Sequence, residues 1–526
     1  MRHLIKKQII DLTLRKKQDA FRMQQLASEN YYHNMLPIID KQFTDFSSDD
    51  EVIQIDRLEI ELGDISEKQL EQLNWDADLA TRLGQLVKEV LQQHIRQKQL
   101  VRQAMPAAFC GQWLFYMEKG YLPWNTVQAN KEWRNKALET LAIDFKAVSA
   151  LRSLIGQNRN AVIRIVMQHE DLFLLRVAEV LTAEKQSDLP AAIDEIYILF
   201  RQLAKSGLIP ELHLPEKKVF RQTIWSHILT ISASGDKDLT ETKLITRVLQ
   251  LQRGLFKEAK KIPAAVLANL NIVASIVKDL EKSAEASSTK MGLHPVDGKD
   301  KQKPLNNNIN STGKTASQIT QNMTDEDSGT GEADLLKTGN EFLDKEENTS
   351  PDPVPGQIDE DGVFVVNAGI VLLHPFLSAF FRRIELVKDT VFVDPSAKQK
   401  ALYLLHYLAT GQMEAEEHEL VLPKILCEWP LYMPVKKEIS IGSDGYEEAL
   451  CLLESAVSQW EILKNSSVAG LREGFLKRPG KVFIKNENLY LQVESNSIDI
   501  LLDHLPWNLS IIKLPWMKEI LRVEWR

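Results

Sequence analysis

The spacing of apolar residues changes period several times along the chain, and each change marks a predicted element. Ile10, Leu12 and Leu14 alternate with Asp11, Thr13 and Arg15, the two-residue period of a half-buried strand. From Gln18 to Phe46 the apolar positions Phe21, Leu26, Tyr31, Tyr32, Met35, Leu36, Ile39 and Phe43 fall at near-helical spacing. Pro37 lies inside that run, which predicts a kink or two shorter helices. Ile53 and Ile55 then share one face, and Leu58, Ile60 and Leu62 continue out of phase. The slip at Asp56–Arg57 predicts a strand with a bulge, ended by Gly63-Asp64. The first segment therefore reads strand, helix, strand.

From about Leu70 to Leu280 the pattern is helical. Leu79, Leu83, Leu86, Val87, Val90, Leu91 and Ile95 form one stripe of an amphipathic helix. Gly120, Pro123 and a group of aromatics in Gly111–Trp124 predict an ordered turn between helices. Further helical runs fall near 131–142, 158–183, 188–207, 216–234 and 240–281, without an exact repeat.

The character changes between residues 283 and 360, where 13 of 78 residues are Ile, Val, Leu, Met or aromatic, Phe342 being the only aromatic. Such a stretch buries too little apolar surface to offset an ordering cost of roughly 1–2 kcal/mol per residue, so a disordered linker is expected. Periodic patterning returns at Val363. Asp394-Pro395 reads as an N-cap followed by proline at the first helical position, and Gly411 as the residue that ends that helix. A second helix is expected over Glu447–Lys464, a β-hairpin over Val482–Lys485 and Leu489–Val493, and a short helix over Ile498–Asp503.

The predicted fold is mainly α with small β elements. Four regions are expected: an N-terminal strand-helix-strand unit (1–66), a helical domain (67–282), the linker (283–360) and a C-terminal α+β domain (361–526). A length of 526 residues fits several cores better than one. The net charge of -9 argues against nucleic acid as the main partner, because phosphate contact needs a basic face. Cys110, Cys427 and Cys451 are odd in number and widely spaced, so neither a disulfide framework nor a zinc site is expected. The N-terminus carries charge every few residues, and no apolar run approaches the roughly 20 residues of a membrane span. A cytoplasmic protein is the expectation.

Few residues suggest chemistry. Three glycines and several basic residues lie between Gly470 and Lys481, but a phosphate loop needs G-x-x-x-x-G-K-[ST]. Here Gly474 and Gly480 are one residue too far apart, and Val482 replaces the hydroxyl. Arg472 and Arg478 are instead expected to pair locally or to face a partner. Glu414, Glu416, Glu417 and Glu419, with His418, lack calcium-loop spacing and read as a solvated loop. No H-E-x-x-H, G-x-S-x-G or Cys/His arrangement is present, so no catalytic residue, cofactor or metal site is assigned. The remaining candidates are tryptophans. Trp124, Trp507 and Trp516 each follow proline, and Trp525 nearly closes the chain; such rings either pin loops onto their own domain or form a docking surface.

Several runs together carry a resemblance. They are DEVIQIDRLEIELG (Asp50–Gly63), YLPW (Tyr121–Trp124), NAGIVLLHPFLSAFF (Asn367–Phe381), LLHYLATG (Leu404–Gly411), SSVAGLREGFLKRPG (Ser466–Gly480) and LPWNLSIIKLPWMKEILRVEW (Leu505–Trp525). In this order they resemble the contractile injection system tape measure proteins, structural parts of phage-tail-like bacterial machines. The resemblance implies a non-enzymatic part of a sheathed particle, partnered by tube, baseplate or cap components. A measuring role is harder to reconcile with the residues. One continuous helix of the whole chain would span only about 790 Å at 1.5 Å per residue, and 20 prolines and 23 glycines interrupt it. An assembly factor or adaptor fits the folded ends better; a toxin carried as cargo and an unrelated helical scaffold are the other readings.

Overall fold

The computed structural model describes residues 3–14, 19–71, 75, 77–126, 129–209, 215–236, 238–251, 262–290, 358, 362–437 and 439–525. The chain divides into two compact units, one made of residues 1–168 with 352–526, the other of residues 169–351. The first unit thus draws together the two ends of the chain.

In the first unit, the helical run after residue 18 becomes α1 (Ala20–Asn30), a wider π-helical turn (Tyr31–Met35) and α2 (Leu36–Phe46). Pro37 sits in the first turn of α2, where its missing N–H is tolerated, and the wide turn before it absorbs the break in the hydrogen-bond ladder. β1 (Glu51–Ile55) pairs antiparallel with β2 (Leu100–Ala104), from Glu51 opposite Ala104 to Ile55 opposite Leu100. α3 (Glu67–Glu71) and α4 (Ala77–Gln97) lie between these strands in sequence. Leu79, Leu83, Val87 and Leu91 form the buried stripe of α4, as the spacing predicts. Tyr31, Met35, Leu83, Val87 and Leu91 make a core against which Phe43, Ile55, Leu58, Ile60 and Leu62 pack.

Two expectations for this segment need correction. No strand forms over Ile10–Leu14, whose side chains are exposed. The bulged strand also stops early, at Ile55; Leu58, Ile60 and Leu62 keep the alternation of burial but not the pairing. Alternation specifies a face, and a strand additionally requires a neighbour. β2 was hidden in a stretch read as helical.

α5 (Met105–Lys119), α6 (Lys131–Ile143), α7 (Phe145–Gln157) and α8 (Arg159–Gln168) complete the N-terminal share of this unit. α5 ends at Gly120, whose φ of 84° is left-handed; a Cβ there would meet the Leu431 carbonyl oxygen at 2.3 Å, so only glycine fits.

The second unit is helical: α9 (Asp171–Thr182), α10 (Leu189–Lys205), α11 (Lys217–Ala233), α12 (Glu241–Leu251), α13 (Ala264–Leu267) and α14 (Val273–Lys290). The single run expected over 158–183 is broken at His169-Glu170 into α8 and α9. Phe200, Phe220, Trp225 and Leu244 are among its fully buried side chains. The Glu195 carboxylate accepts hydrogen bonds from the backbone N–H groups of Asn271, Ile272 and Val273 (2.9, 2.8 and 2.9 Å), capping the start of α14. Of the expected linker, residues 283–290 belong to α14 rather than to a linker, and the remainder apart from Ile358 lies outside the described residues.

The C-terminal share of the first unit opens with β3 (Val363–Val365), a 3-10 helix (Ala368–Leu373) and α15 (His374–Arg383). A small β4–β5 hairpin (Val387–Lys388 and Val391–Phe392) leads to α16 (Pro395–Thr410). Asp394 caps α16 as expected, its Oδ1 accepting from the Ala397 N–H at 2.6 Å. A 3-10 turn (Glu417–Leu420) precedes α17 (Val421–Leu426), followed by α18 (Ser443–Gln459) and α19 (Val468–Leu471). The expected hairpin is β6 (Gly480–Lys485) and β7 (Asn488–Val493), joined by Asn486 and Glu487 with φ of 49° and 61°. With β8 (Ile511–Ile512) and β9 (Leu521–Glu524) they form a five-stranded sheet in the order β3-β6-β7-β9-β8, β7 and β9 running parallel. Among the described residues no helix is long and apolar enough to cross a membrane.

Candidate functional site

The strongest concentration of buried charge among the described residues lies in the first unit, on Arg164 and Lys424, which the sequence pattern does not single out, and on Glu417, which it reads as part of a solvated loop. Arg164 is on α8, Glu417 opens the 3-10 turn before α17, and Lys424 is on α17. All three side chains are fully buried. Arg164 Nε donates to Glu417 Oε2 at 3.0 Å and Lys424 Nζ donates to Glu417 Oε1 at 2.6 Å. Two cations therefore share one carboxylate, and backbone carbonyls take up the excess positive charge. Arg164 donates to the carbonyls of Met117 and Tyr432, and Lys424 to those of Leu431 (3.1 Å) and Met433 (2.9 Å).

Local structure sets up each partner. The left-handed end of α5 at Gly120 leaves the carbonyls of its last turn unpaired within the helix, and one of them receives Arg164. A reciprocal capping box between Glu416 and Glu419 fixes the turn that carries Glu417. The solvated loop expected for Glu414–Glu419 is thus wrong at its centre: Glu417 is buried and doubly paired. Glu416 beside it is half-buried and faces Arg134 (3.6 Å) and Lys437 (3.5 Å).

Burial, the dominant cause, lowers Lys424 to about 8; Arg164 pushes the same way, and Glu417 opposes both. Burial likewise holds the Tyr116 hydroxyl well above its ordinary range, reinforced by Glu417. With both carboxylate oxygens bonded and no exposed surface, the cluster has the geometry of a clamp rather than a reacting centre.

The residues expected to matter at the C-terminal end fall into four sets of contacts. Arg472 Nε and Nη2 donate to the carbonyls of Leu408 and Tyr407, both at 3.1 Å, capping the last turn of α16 beside left-handed Gly411. Arg478 is buried; its Nε donates to the Gly474 carbonyl (2.8 Å), Nη1 to that of Glu494 (3.2 Å) and Nη2 to Asp499 Oδ1 (2.7 Å). Asp499 Oδ2 also accepts from Trp525 Nε1 at 3.2 Å, so Arg478 and Trp525 meet on one carboxylate. Trp516 packs on Phe381 and Phe392, ring centroids 5.6 and 5.0 Å away, and donates to the Leu426 carbonyl at 2.8 Å. Trp507, half-buried, meets Phe376 edge-on at 5.2 Å and donates to the Leu372 carbonyl at 3.1 Å. Trp124, also half-buried, lies under Lys6, whose Nζ is 5.8 Å from the ring.

In the C-terminal half, runs that carry the resemblance also touch one another. Gly369 packs so closely on the Phe475 carbonyl that a Cβ would come within 1.7 Å of its oxygen. The Ala368 N–H donates to the Arg478 carbonyl at 2.7 Å. Across the whole sequence, the family described as contractile injection system tape measure protein matches residues 2–525. The chain belongs to that family. No curated protein and no solved structure matches it. For a tape measure family member, the Asn367–Phe381, Ser466–Gly480 and Leu505–Trp525 runs have a concrete meaning: they are the mutual contacts of the C-terminal half. Membership makes the chain a structural component of a contractile injection system.

In retrospect the buried clamp left one local signal. Lys424 stands inside the apolar run Val421–Leu426, and Arg164 inside Ala161–Val166. A lone cation in such a run needs a buried counter-charge.

Proposed function

We propose that this family member acts in particle assembly as a folded factor or adaptor that engages tube, baseplate or cap components, and that it does not set tube length as an extended ruler. The observation that carries this reading is the union of residues 1–168 and 352–526 in one compact unit, clamped through Arg164, Glu417 and Lys424. A ruler gains length only from chain that is drawn out, at about 1.5 Å per residue if helical. Pulling this chain out end to end would have to unfold that unit, separating Glu417 from Arg164 and Lys424 and exposing the apolar core around them to water.

Deleting residues 290–350 separates the two roles. Particles of normal length are expected from the variant. Shortening in proportion to the deleted residues, measured by electron microscopy, would overturn the assembly reading in favour of a ruler.

A further inference from the structure

Two segments of the first unit carry strand patterning without strand pairing, and their chemistry is complementary. The first is Lys7–Leu14. All of its side chains are exposed, Ile9 by 67% and Leu12 by 41%, and among the described residues its backbone makes no hydrogen bond. The second is Leu58–Leu62, which follows β1. Its Leu58, Ile60 and Leu62 side chains pack on the α2–α4 core while Glu59 and Glu61 are exposed. Among the described residues its backbone also makes no hydrogen bond. Alternate burial with an unpaired backbone is the condition of a strand edge ready to accept another strand.

We propose that Lys7–Leu14 of one copy adds as a β-strand to the Leu58–Leu62 edge of a second copy. The faces match. With Ile10, Leu12 and Leu14 on one side, the added strand extends the apolar face of Leu58, Ile60 and Leu62. The charges match as well: the donor segment carries Lys7 and the single acid Asp11 and is flanked in sequence by Lys6, Arg15, Lys16 and Lys17, and the acceptor with its flanks carries Asp56, Glu59, Glu61 and Asp64 with the single base Arg57. Main-chain hydrogen bonds supply affinity in such an addition, and the alternating side chains supply register. The inference goes beyond the assembly reading, since it concerns contact between copies of this chain whatever the copies then build.

The test uses the full-length chain with Cys451→Ser, because Cys451 is the exposed cysteine. Protein carrying Thr13→Cys is mixed with protein carrying Glu59→Cys and oxidised, then sized by sedimentation velocity and non-reducing electrophoresis. A disulfide-linked heterodimer that forms only in the mixture is expected. Glu59→Lys with Glu61→Lys should weaken self-association at least tenfold and lower its sensitivity to salt. Removing residues 2–14 should return the chain to a monomer with an unchanged circular dichroism spectrum. A chain that stays monomeric at all concentrations, with no mixed disulfide, overturns the proposal. So does a Thr13→Cys, Glu59→Cys double variant that closes only within a single copy.

Discussion

Two buried ion clusters in the first unit solve the same problem over very different reaches. In the C-terminal half, Arg478, Asp499 and Trp525 lie within 26 positions of their partners in sequence, and one cation balances one carboxylate. The clamp joins Arg164 to Glu417 across 253 positions, with two cations on one carboxylate. The short-range cluster fixes the geometry of a single corner. The long-range clamp holds two shares of the chain as one unit, and its excess positive charge makes it dependent on Glu417. A balanced local pair is robust to one lost bond, whereas a shared carboxylate has no substitute.

Breaking each cluster should expose that difference. Tryptophan fluorescence is a suitable probe, since every tryptophan except Trp225 belongs to the first unit. The largest effect is expected from Glu417→Gln, which leaves two buried cations facing each other. A loss of about 3–5 kcal/mol follows from removing one partner of a buried pair, seen as a lower urea midpoint of the fluorescence transition. Asp499→Asn should cost less, about 1–3 kcal/mol, because the Gly474 and Glu494 carbonyls still hold Arg478. Equal losses in the two variants would mean that the long-range clamp depends on its carboxylate no more than the local cluster does.

The smallest signal is a slope with pH. In the folded chain burial lowers Lys424 to about 8 from an ordinary 10.5. Between those values the unfolded chain binds the extra proton, so this group's contribution to stability rises with pH across that window. Below about 8 both states are protonated and the contribution is flat at its least favourable. Wild type should therefore gain stability relative to Lys424→Met as pH climbs from 8 towards 10. Parallel pH profiles for the two proteins would show that Lys424 titrates normally inside the clamp.

Local signals made much of the fold legible. Asp394, Pro395 and Gly411 delimit α16 because capping chemistry acts over three or four residues. Asn486 to Asn488 announces the β6–β7 hairpin for the same reason. Ile10, Leu12 and Leu14 misled because alternation is written in one segment while pairing depends on another. Glu417 was missed because a run of glutamates reads as solvated until a partner 253 positions away is known. Arg472 and Arg478 were recognised as notable residues, but whether they faced inward or outward depended on the carbonyls of Leu408, Gly474 and Glu494, which no spacing rule identifies.

The union of the two chain ends also has a consequence for biosynthesis. A ribosome adding 5–20 residues per second needs roughly 10–40 s to make the stretch from residue 169 to residue 351. Throughout that interval Arg164 has been made and Glu417 has not, so the first unit waits half-built with a cation lacking its counter-charge. A message or product cut short anywhere before Lys424 never closes the clamp. Completion of this unit thus reports that translation has passed Lys424, and only copies made beyond that point present the finished fold to their partners.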